Sequence, residues 1–364
     1  MRNPLHAICP YFAMFPESFV TTHLFAHSRP GDLVFDPFSG RGTTILESLL
    51  RDRKAIASDI NPVAACVSGA KARVPDLQST LSRLSDLESE FREANPSNEL
   101  INEFFDLCFH PATLREVLYL RSVLKWREHD TDRFISAVML GCLHGESHRS
   151  ELYLSNRMPR TISTKPDYSV RWWTSRGLIA PERRTFEILR RLVKYRLSGQ
   201  LPTREGEVAL ADARQSGTVF RAYSGQVGLI LTSPPYIDTT DYSEDQWLRL
   251  WFLGGAERPQ ARINRDDRHR SRQSYWSFLA EAWLGCGGLL KDESTIVVRI
   301  GGNKLGKAEL FEGLTQSLIV GLAGRRVAPL HKGTTTSIAR RQTNSFRPGT
   351  AAGGVEHDFT FRLS

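Results

Sequence analysis

The stretch Leu33-Val-Phe-Asp-Pro-Phe-Ser-Gly-Arg-Gly-Thr-Thr44 decides the fold class of this chain. Its first three residues predict a short strand that ends at Asp36, and the glycine-rich turn leads into an apolar segment that predicts a helix. A second strand is predicted over 54–58 and ends at Asp59. A short helix between two apolar strands predicts a parallel, right-handed crossover. We therefore expect an α/β protein with a Rossmann-like, nucleotide-binding sheet.

The rest of the chain divides into a helical middle and a second strand-rich part. Apolar residues recur at steps of three and four over 77–91 and 114–124, which predicts amphipathic helices. Further strands are predicted where apolar runs return, at 208–212, 227–232, 294–300, 326–330 and 357–363, the last two as a closing hairpin. One sheet is thus expected to be split by a long, largely helical insertion.

Composition excludes several classes of protein. The 364 residues are 40% apolar and 24% charged, enough for a sizeable core. No run reaches about 18 apolar residues and no basic-then-apolar leader is visible, so we expect no membrane span and a cytoplasmic location. Five cysteines without a Cys-x-x-Cys pair indicate reduced thiols. Cys142, His144 and His148 lack a fourth ligand, so no metal is predicted.

The charge of the chain is positive and unevenly distributed. Its 48 Lys and Arg residues against 40 Asp and Glu give a net charge of +8. Residues 145–200 carry 12 basic and 5 acidic side chains, whereas 75–106 carry 2 basic and 8 acidic ones. Two later stretches, 258–272 and 322–347, each contain six basic residues. A patchy basic surface favours a polyanionic partner, and the acidic stretch is expected to be a solvated helix face.

The glycine-rich loop and the acidic residue after it predict a nucleoside-binding site. The loop leaves a strand at its carboxyl end, where open parallel sheets bind ligands. Gly40 and Gly42 let the backbone approach a ligand, and the next helix offers free N–H groups. Asp59 follows Gly40 by 19 residues, where a carboxylate binds ribose hydroxyls in dinucleotide sites. The alternative for Asp59 is an ordinary strand-end carboxylate. A phosphate-loop Lys-Ser/Thr pair is missing, which favours a nucleoside without a triphosphate.

A second turn, Leu231-Thr-Ser-Pro-Pro-Tyr236, ends a predicted strand. Pro234 and Pro235 remove two backbone donors, which leaves carbonyl oxygens beside the Ser233 hydroxyl and an aromatic ring. Such a turn accepts hydrogen bonds and suits an exocyclic amino group whose ring stacks on Tyr236. A rigid structural turn is the alternative.

Both stretches together resemble the amino-methyltransferases of DNA, which transfer a methyl group from S-adenosylmethionine to N4 of cytosine or N6 of adenine. In that family Asp-Pro-Phe-x-Gly-x-Gly-Thr-Thr is the cofactor loop, and Asp-Ile-Asn-Pro corresponds to 59–62. The segment Cys9-Pro-Tyr-Phe-Ala-Met-Phe-Pro16 is similar to the methionine-side motif, and Asp212 to the carboxylate that reads the cofactor's adenine. The chain departs from the pattern in three respects. Arg41 stands where many members have serine, and the insertion falls before Asp212 rather than after it. The cofactor loop also precedes the catalytic turn, the reverse of the order common with Ser-Pro-Pro-Tyr.

The resemblance implies S-adenosylmethionine as cofactor and a class I methyltransferase core. It implies cofactor contacts at Phe15, Pro16, Asp36, Phe38, Ser39, Gly40, Gly42, Thr43, Asp59, Asn61 and Asp212. It implies catalytic roles for Ser233, Pro234, Pro235 and Tyr236. The expected domains are a cofactor-binding half at 1–74, a helical and basic insertion at 75–200 as candidate target-recognition region, and a catalytic half at 201–364.

Basic and aromatic side chains interleave in the insertion as they do on nucleic-acid surfaces. With the basic stretch 258–272, they give the candidate DNA contacts Arg157, Arg160, Lys165, Arg171, Trp172, Arg265 and Arg268. The alternative is a surface loop that packs on its own tryptophans.

The function that follows is site-specific methylation of an exocyclic amino group in double-stranded DNA. Ser233 in place of an aspartate favours N4 of cytosine, and N6 of adenine stays open. Two further functions stay open, namely methylation of RNA, such as guanine in tRNA, and the role of a catalytically inactive DNA-binding subunit. A cognate restriction enzyme as a second partner is also compatible with the sequence, and no membrane partner is expected.

Overall fold

The computed structural model describes residues 2–11, 15–94, 102–237, 242–259, 271–301, 305–331, 333–337 and 355–364. The strands are β1 (Leu33–Asp36), β2 (Lys54–Asp59), β3 (Glu207–Leu210), β4 (Val227–Thr232), β5 (Leu290–Gly301), β6 (Val327–Pro329), β7 (Thr334–Ser337) and β8 (Val355–Leu363). The α-helices are α1 (Glu17–His27), α2 (Thr43–Leu49), α3 (Pro62–Ala72), α4 (Leu77–Ala94), α5 (Glu103–Cys108), α6 (Pro111–Val123), α7 (Asp130–Cys142), α8 (Pro166–Thr174), α9 (Thr185–Arg196), α10 (Ser216–Val219), α11 (Tyr242–Asp245), α12 (Trp247–Phe252), α13 (Arg272–Gly287) and α14 (Lys307–Gly321).

The sheet combines five parallel strands with antiparallel strands on one side. Its order is β3-β2-β1-β4-β5-β8-β6, and the parallel part has the 3-2-1-4-5 order of doubly wound nucleotide-binding sheets. β8 lies between β5 and β6 and is antiparallel to both. β7 is also antiparallel to β8 and pairs with its residues 355–358, whereas β6 pairs with residues 361–363. The prediction of an α/β, Rossmann-like fold is confirmed. The predicted pairing of the last two strands is also found, whereas β7 was not predicted.

The parallel strands place three loops at one edge of the sheet. β1 is buried at all four positions and β4 at five of six, which explains why both are uninterrupted apolar runs. β1 pairs in parallel with β2 on one side and with β4 on the other. The loops after Asp36, Asp59 and Thr232 therefore leave the sheet side by side.

The insertion packs directly on the helical layer of the sheet. Residues 75–200 form the six helices α4 to α9, and their described part contains no strand. Apolar side chains of these helices share one cluster with α3 and α12, including Val67, Leu84, Leu140 and Trp251. The predicted helical character is thus found, and the insertion is joined to the core by continuous apolar packing.

The structure also bears on the expectations about membranes, thiols and metals. Every described helix is too short or too polar to cross a bilayer. All five cysteines are reduced and buried, and burial raises the pKa of Cys142 to about 12, so this thiol stays protonated. Among the described residues, no three His, Cys, Asp or Glu side chains form a metal-binding group. His144 is instead buried against the Pro159 carbonyl, 2.8 Å from its Nδ1.

Candidate active site

Glycine occupies positions 40 and 42 of the loop after β1 for different structural reasons. Gly40 and Gly42 have φ angles of +50° and +73°, in the left-handed region that favours glycine. A Cβ at Gly42 would lie 2.7 Å from the Cβ of Ser68 in α3, whereas the nearest atom to a Cβ at Gly40 is 3.8 Å away. Gly42 is therefore required for close packing against α3, and a role in ligand approach stays a prediction. Gly40 leaves the room that ligand approach needs.

Asp59 and Asn61 fix the geometry of this loop. Asp59 Oδ2 accepts a hydrogen bond from the Gly40 N–H at 2.8 Å, and its Oδ1 accepts from the Asn61 N–H at 2.9 Å. Asn61 caps α3 by accepting from the Val63 N–H at 2.9 Å and donates to the Tyr11 hydroxyl at 3.2 Å. The Asp59 carboxylate is half-buried, and its contact with a ribose hydroxyl stays a prediction.

Asp36 connects the loop after β1 to the turn after β4. Its carboxylate is fully buried, and Oδ1 accepts from the Thr232 hydroxyl at 2.6 Å and from the Phe38 N–H at 3.1 Å. Its Oδ2 makes no hydrogen bond within the described residues. Burial raises the pKa of Asp36 to about 6, although interactions with the Thr232 and Thr44 hydroxyls and the Phe38 N–H oppose that rise. A buried carboxylate with so few donors around it is suited to a cationic ligand group.

Ser39 and Thr43, two further residues implied for the cofactor, have side chains that bond to the protein itself. The Ser39 and Ser68 hydroxyl oxygens are 3.1 Å apart, and both side chains are buried. Thr43 Oγ1 accepts from Arg41 Nε at 3.2 Å. These bonds hold the loop on α3 and on the start of α2. A direct contact of either side chain with the cofactor stays a prediction.

Phe15 and Pro16 lie at the start of α1, beside the carboxyl ends of β4 and β5. The Phe15 ring packs on Phe19 with centroids 5.1 Å apart, and Pro16 is the exposed N-cap of the helix. Phe19 belongs to a small apolar cluster with residues of β1, β4 and β5. On its other side the Arg299 guanidinium lies 4.0 Å from the Phe19 ring centroid. The predicted methionine-side motif is thus next to the turn after β4.

Asp212 is held in an ion pair at the end of β3. Arg214 Nη2 lies 2.7 Å from its Oδ2, and Arg214 Nη1 lies 3.1 Å from Glu281 of α13. The Arg214 guanidinium also lies 5.9 Å from the ring centroid of Phe278, which is paired with Phe38 at 6.0 Å. Arg214, Phe278 and Glu281 were not predicted. Together with Phe38 and Asp212, these residues provide aromatic rings for stacking and charged groups for hydrogen bonds, which are the features that an adenine ring could use.

The turn after β4 presents two acceptors that have no partner among the described residues. Ser233 is half-buried, and neither its hydroxyl nor the Pro234 carbonyl makes a hydrogen bond to a described residue. The Pro235 carbonyl, in contrast, accepts from the Tyr275 hydroxyl of α13 at 3.0 Å. Tyr275 is buried and fixes the second proline. The turn therefore offers an amino group one hydroxyl and one carbonyl.

Tyr236 is supported from the antiparallel side of the sheet. Its hydroxyl donates to Glu356 of β8, and Arg299 of β5 lies between Glu356 and Asp358. Arg299 makes two hydrogen bonds to Asp358, of 2.6 and 2.7 Å, and all three charged side chains are buried. This network was not predicted from the sequence. The available signal was the placing of Glu356 and Asp358 two residues apart, on one face of the strand.

The candidate DNA contacts of the insertion form a stack around one tryptophan. The guanidinium groups of Arg157 and Arg176 lie 5.5 and 4.8 Å from the ring centroid of the half-buried Trp172. The neighbouring Trp173 is buried and donates to the Arg157 carbonyl at 2.8 Å. Trp173 therefore anchors the segment, as expected if this is a surface loop that packs on its own tryptophans. Trp172 instead stacks with the two exposed arginines.

The remaining candidates of the insertion are exposed, and hydrogen bonds join the segment to the chain that follows the turn after β4. Arg157, Arg160, Lys165 and Arg171 are all exposed. Lys165 pairs with Glu244 at 2.7 Å, and Gln246 donates to the Thr161 carbonyl at 3.1 Å. These bonds bring the basic segment to the residues that follow the turn. Arg265 and Arg268 lie outside the described residues.

Comparison with known proteins supports the resemblance for the first part of the chain. Residues 3–67 match the model of a family described as DNA methylase, of the N6 and N4 type. This segment contains both the loop 36–44 and Asp59, whose geometry is described above.

Two relatives with curated names are methyltransferases. Type II methyltransferase M.MjaII of Methanocaldococcus jannaschii is 26% identical over 138 residues, which are 37% of this chain and 26% of that protein. Orphan methyltransferase M.BamHII of Bacillus amyloliquefaciens is 45% identical over 49 residues, 14% of this chain and 18% of that protein. The chain thus spans about a quarter or less of the relatives it matches.

A solved structure with overall similarity is the rRNA methyltransferase aviRa of Streptomyces viridochromogenes. It is 11% identical, with a TM-score of 0.36 over 99% of this chain and 93% of that chain. The fold is established here by the strand order rather than by this likeness.

Proposed function

We propose that this chain is an S-adenosylmethionine-dependent DNA methyltransferase that acts on the exocyclic amino group of a flipped base, with N4 of cytosine as the favoured target. The hydrogen bond from Thr232 to Asp36 carries this proposal, because it joins the loop matched by the DNA methylase family to the turn Ser233–Tyr236. Adenine N6 is the second candidate, since both bases have an amino group beside a ring nitrogen. The proposed division of the chain is 1–74, 75–200 and 201–364, as expected from the sequence.

The residues of the loop fit S-adenosylmethionine. Asp36 Oδ2 is buried without a partner among the described residues, and a carboxylate there suits the ammonium group of the methionine part. Asp59 would hold the ribose hydroxyls, and the Phe38–Phe278 pair beside Asp212 would hold the adenine. When bound, the cofactor supplies an electrophilic methyl group.

The turn positions the amino group of the base. The Ser233 hydroxyl and the Pro234 carbonyl would accept its two protons, which directs the nitrogen lone pair outward. The Tyr236 ring would stack on the base, with its hydroxyl held by Glu356 at 2.9 Å. Catalysis then depends mainly on position, since no strong base is required before methyl transfer.

Duplex DNA would be held by the basic segment of the insertion. Arg157, Arg160 and Arg171 are exposed cations for phosphates, and Trp172 carries a stacked pair of guanidinium groups. A DNA substrate is consistent with action in the cytoplasm and with a cognate restriction enzyme as a partner, which we retain as part of the proposal.

The test is labelled methyl transfer to duplex DNA and to tRNA, followed by mass spectrometry of the digested nucleosides. We expect transfer to DNA and N4-methylcytosine as product. N6-methyladenine alone would reverse the choice of base, and transfer to tRNA alone would replace DNA by RNA as substrate. No transfer to either by a protein that binds both cofactor and DNA would favour the inactive DNA-binding subunit. Modification-sensitive sequencing of host DNA would then give the recognition site.

A further inference from the structure

A cavity rich in arginine lies between the amino-terminal segment and the insertion. Its volume is about 280 Å³, at the small end for ligand pockets. Arginines from four parts of the chain line it, namely Arg2, Arg41, Arg160 and Arg196, together with Tyr11 and Tyr153. No aspartate or glutamate is among the described residues of its lining.

The charges of this cavity are only partly compensated. Glu17 lies 2.7 Å from Arg2 and 3.7 Å from Arg41, so one carboxylate serves two guanidinium groups. Arg196 donates to the Pro4 carbonyl at 3.4 Å, but its Nε has no hydrogen-bond partner within the described residues. Burial lowers the pKa of Arg41 to about 10, with Arg2 as a further cause. Among the described residues, the lining itself thus carries four arginines and no carboxylate, with Glu17 behind two of them.

His6 adds a second unpartnered polar group to the same wall. Its side chain is 1% exposed, and Nε2 lies 2.6 Å from Glu47 Oε1. Its Nδ1 makes no hydrogen bond within the described residues, although Glu17 Oε1 lies 3.8 Å from it. Because Glu47 engages Nε2, Nδ1 is the ring atom that could still bond to a ligand hydroxyl or a bound water beside Glu17.

The chemistry of the lining indicates the class of ligand. Guanidinium groups match the oxygens of a phosphoryl group in pairs, and arginine is the residue most suited to that geometry. The volume suits a single phosphoryl group with a small attached part, such as one phosphate of a longer backbone or a small phosphate compound. Tyr11 relates the cavity to the cofactor loop, since its ring lies 3.8 Å from the position of a Cβ at Gly40.

We infer that this cavity binds a phosphoryl group through Arg41 and Arg196. The source is either the backbone of the nucleic acid or a small free phosphate compound. The first source rests on the proposed function, whereas the second is independent of it.

The first experiment measures inorganic phosphate binding to the full-length protein by calorimetry at constant ionic strength. Arg196→Gln is the test variant, and Arg191→Gln, an exposed arginine of the same helix, is the matched control. We expect 1:1 binding by the wild type and the control, and at least tenfold weaker binding by Arg196→Gln. If that variant does not fold, Arg160→Gln at the exposed rim replaces it. No binding by the wild type, or equal affinity in all variants, would overturn the inference.

The second experiment separates the two sources. If the ligand is a backbone phosphate, Arg196→Gln raises the dissociation constant of duplex DNA several-fold and phosphate competes with DNA. If it is a free phosphate compound, the same variant loses phosphate binding and keeps its DNA affinity. Methyl transfer by the wild-type protein is measured in parallel. If the protein binds phosphate but transfers no methyl group, only the proposed function is contradicted. If it transfers a methyl group but does not bind phosphate, only this inference is contradicted.

Discussion

The Tyr236 hydroxyl donates a hydrogen bond of 2.9 Å to Oε1 of Glu356, a residue 120 positions further along the chain. Glu356 is buried beside Arg299, so the acceptor cannot turn away to solvent. The orientation of a ring proposed to stack on the base is therefore set by the strand β8.

Tyr236→Phe should lower kcat by roughly fivefold, because loss of one hydrogen bond worth about 1 kcal/mol frees the ring without removing it. Tyr236→Ala should cost more, roughly 5- to 150-fold, since base stacking is worth about 1–3 kcal/mol. Steady-state kinetics and cofactor calorimetry measure both. The matched control is Tyr223→Phe, which removes a similar bond of 3.1 Å to Glu207. Equal losses of kcat and cofactor affinity would contradict the role in stacking.

Asp59→Ala should weaken S-adenosylmethionine binding by about 1.5–3 kcal/mol, the range for hydrogen bonds to a charged group. The variant also loses the acceptor for the Gly40 N–H, so thermal unfolding must be measured beside calorimetry. Asp76→Ala, which removes an exposed carboxylate from the start of α4, is the control. Unchanged cofactor affinity in a folded Asp59→Ala protein would contradict the assignment.

Asp36 should make the stability of the free protein depend on pH. Burial raises its pKa from 3.8 to about 6, so the folded state binds the proton more tightly than the unfolded state. The free energy of unfolding must then fall as pH rises from about 4 to about 6, by at most about 3 kcal/mol, and stay lower above that range. Asp36→Asn should lack this fall. Urea unfolding of both proteins between pH 4 and pH 7 tests this prediction. The same dependence of the unfolding free energy on pH in both proteins would contradict it.

The same carboxylate should govern the pH dependence of cofactor affinity. If its ionised form binds the methionine ammonium group, affinity weakens up to tenfold for each pH unit below about 6. Asp36→Asn should bind weakly at every pH. Calorimetry from pH 5 to 8 measures cofactor affinity for the wild type and for Asp36→Asn. If Asp36 has only a structural role, both proteins would show the same pH profile.

Neutralising Arg157 and Arg160 together should raise the dissociation constant of duplex DNA. The slope of log affinity against log salt should shrink by about 0.9 for each lost phosphate contact. The control replaces Arg92 and Arg184, two exposed arginines outside the proposed surface, and removes the same charge. An unchanged slope would move DNA binding to other basic stretches, and a large loss of thermal stability would favour the alternative of a structural loop.

Gly42→Ala should destabilise the protein through two effects. A positive φ costs about 1–2 kcal/mol for a residue with a side chain, and a Cβ 2.7 Å from that of Ser68 adds an overlap of about 1–3 kcal/mol. Gly177→Ala isolates the first effect, because Gly177 has φ +57° and nothing within 4 Å of the new Cβ. Similar losses of stability in both variants, measured by urea unfolding, would contradict the packing role of Gly42.

The sequence predicts the parts of this protein that depend on short-range pattern. The apolar run before Asp36 and the carboxylate 23 residues later are local signals, and the structure places both at the ends of paired strands. The matching family model covers the same part, residues 3–67.

The unpredicted features depend on contacts between distant residues. The pairing of Arg299 with Asp358 and the bond from Tyr275 to Pro235 join segments that no periodicity relates. Likewise, the reason for Gly42 lies in Ser68, which is invisible without the packing of α3 on the loop. β7 was missed because its Thr334–Ser337 run has no apolar residue.

The position of β8 has a consequence for the order of synthesis. A ribosome completes β5 before it makes residues 355–363, so the edge of β5 emerges unpaired and stays open until the later strand arrives. The carboxylate that receives the Tyr236 hydroxyl is delivered by that same strand. A nascent chain can thus form the bonds between the loop after β1 and Asp59 early, while the Tyr236 ring gains its support only after residue 356 has left the exit tunnel.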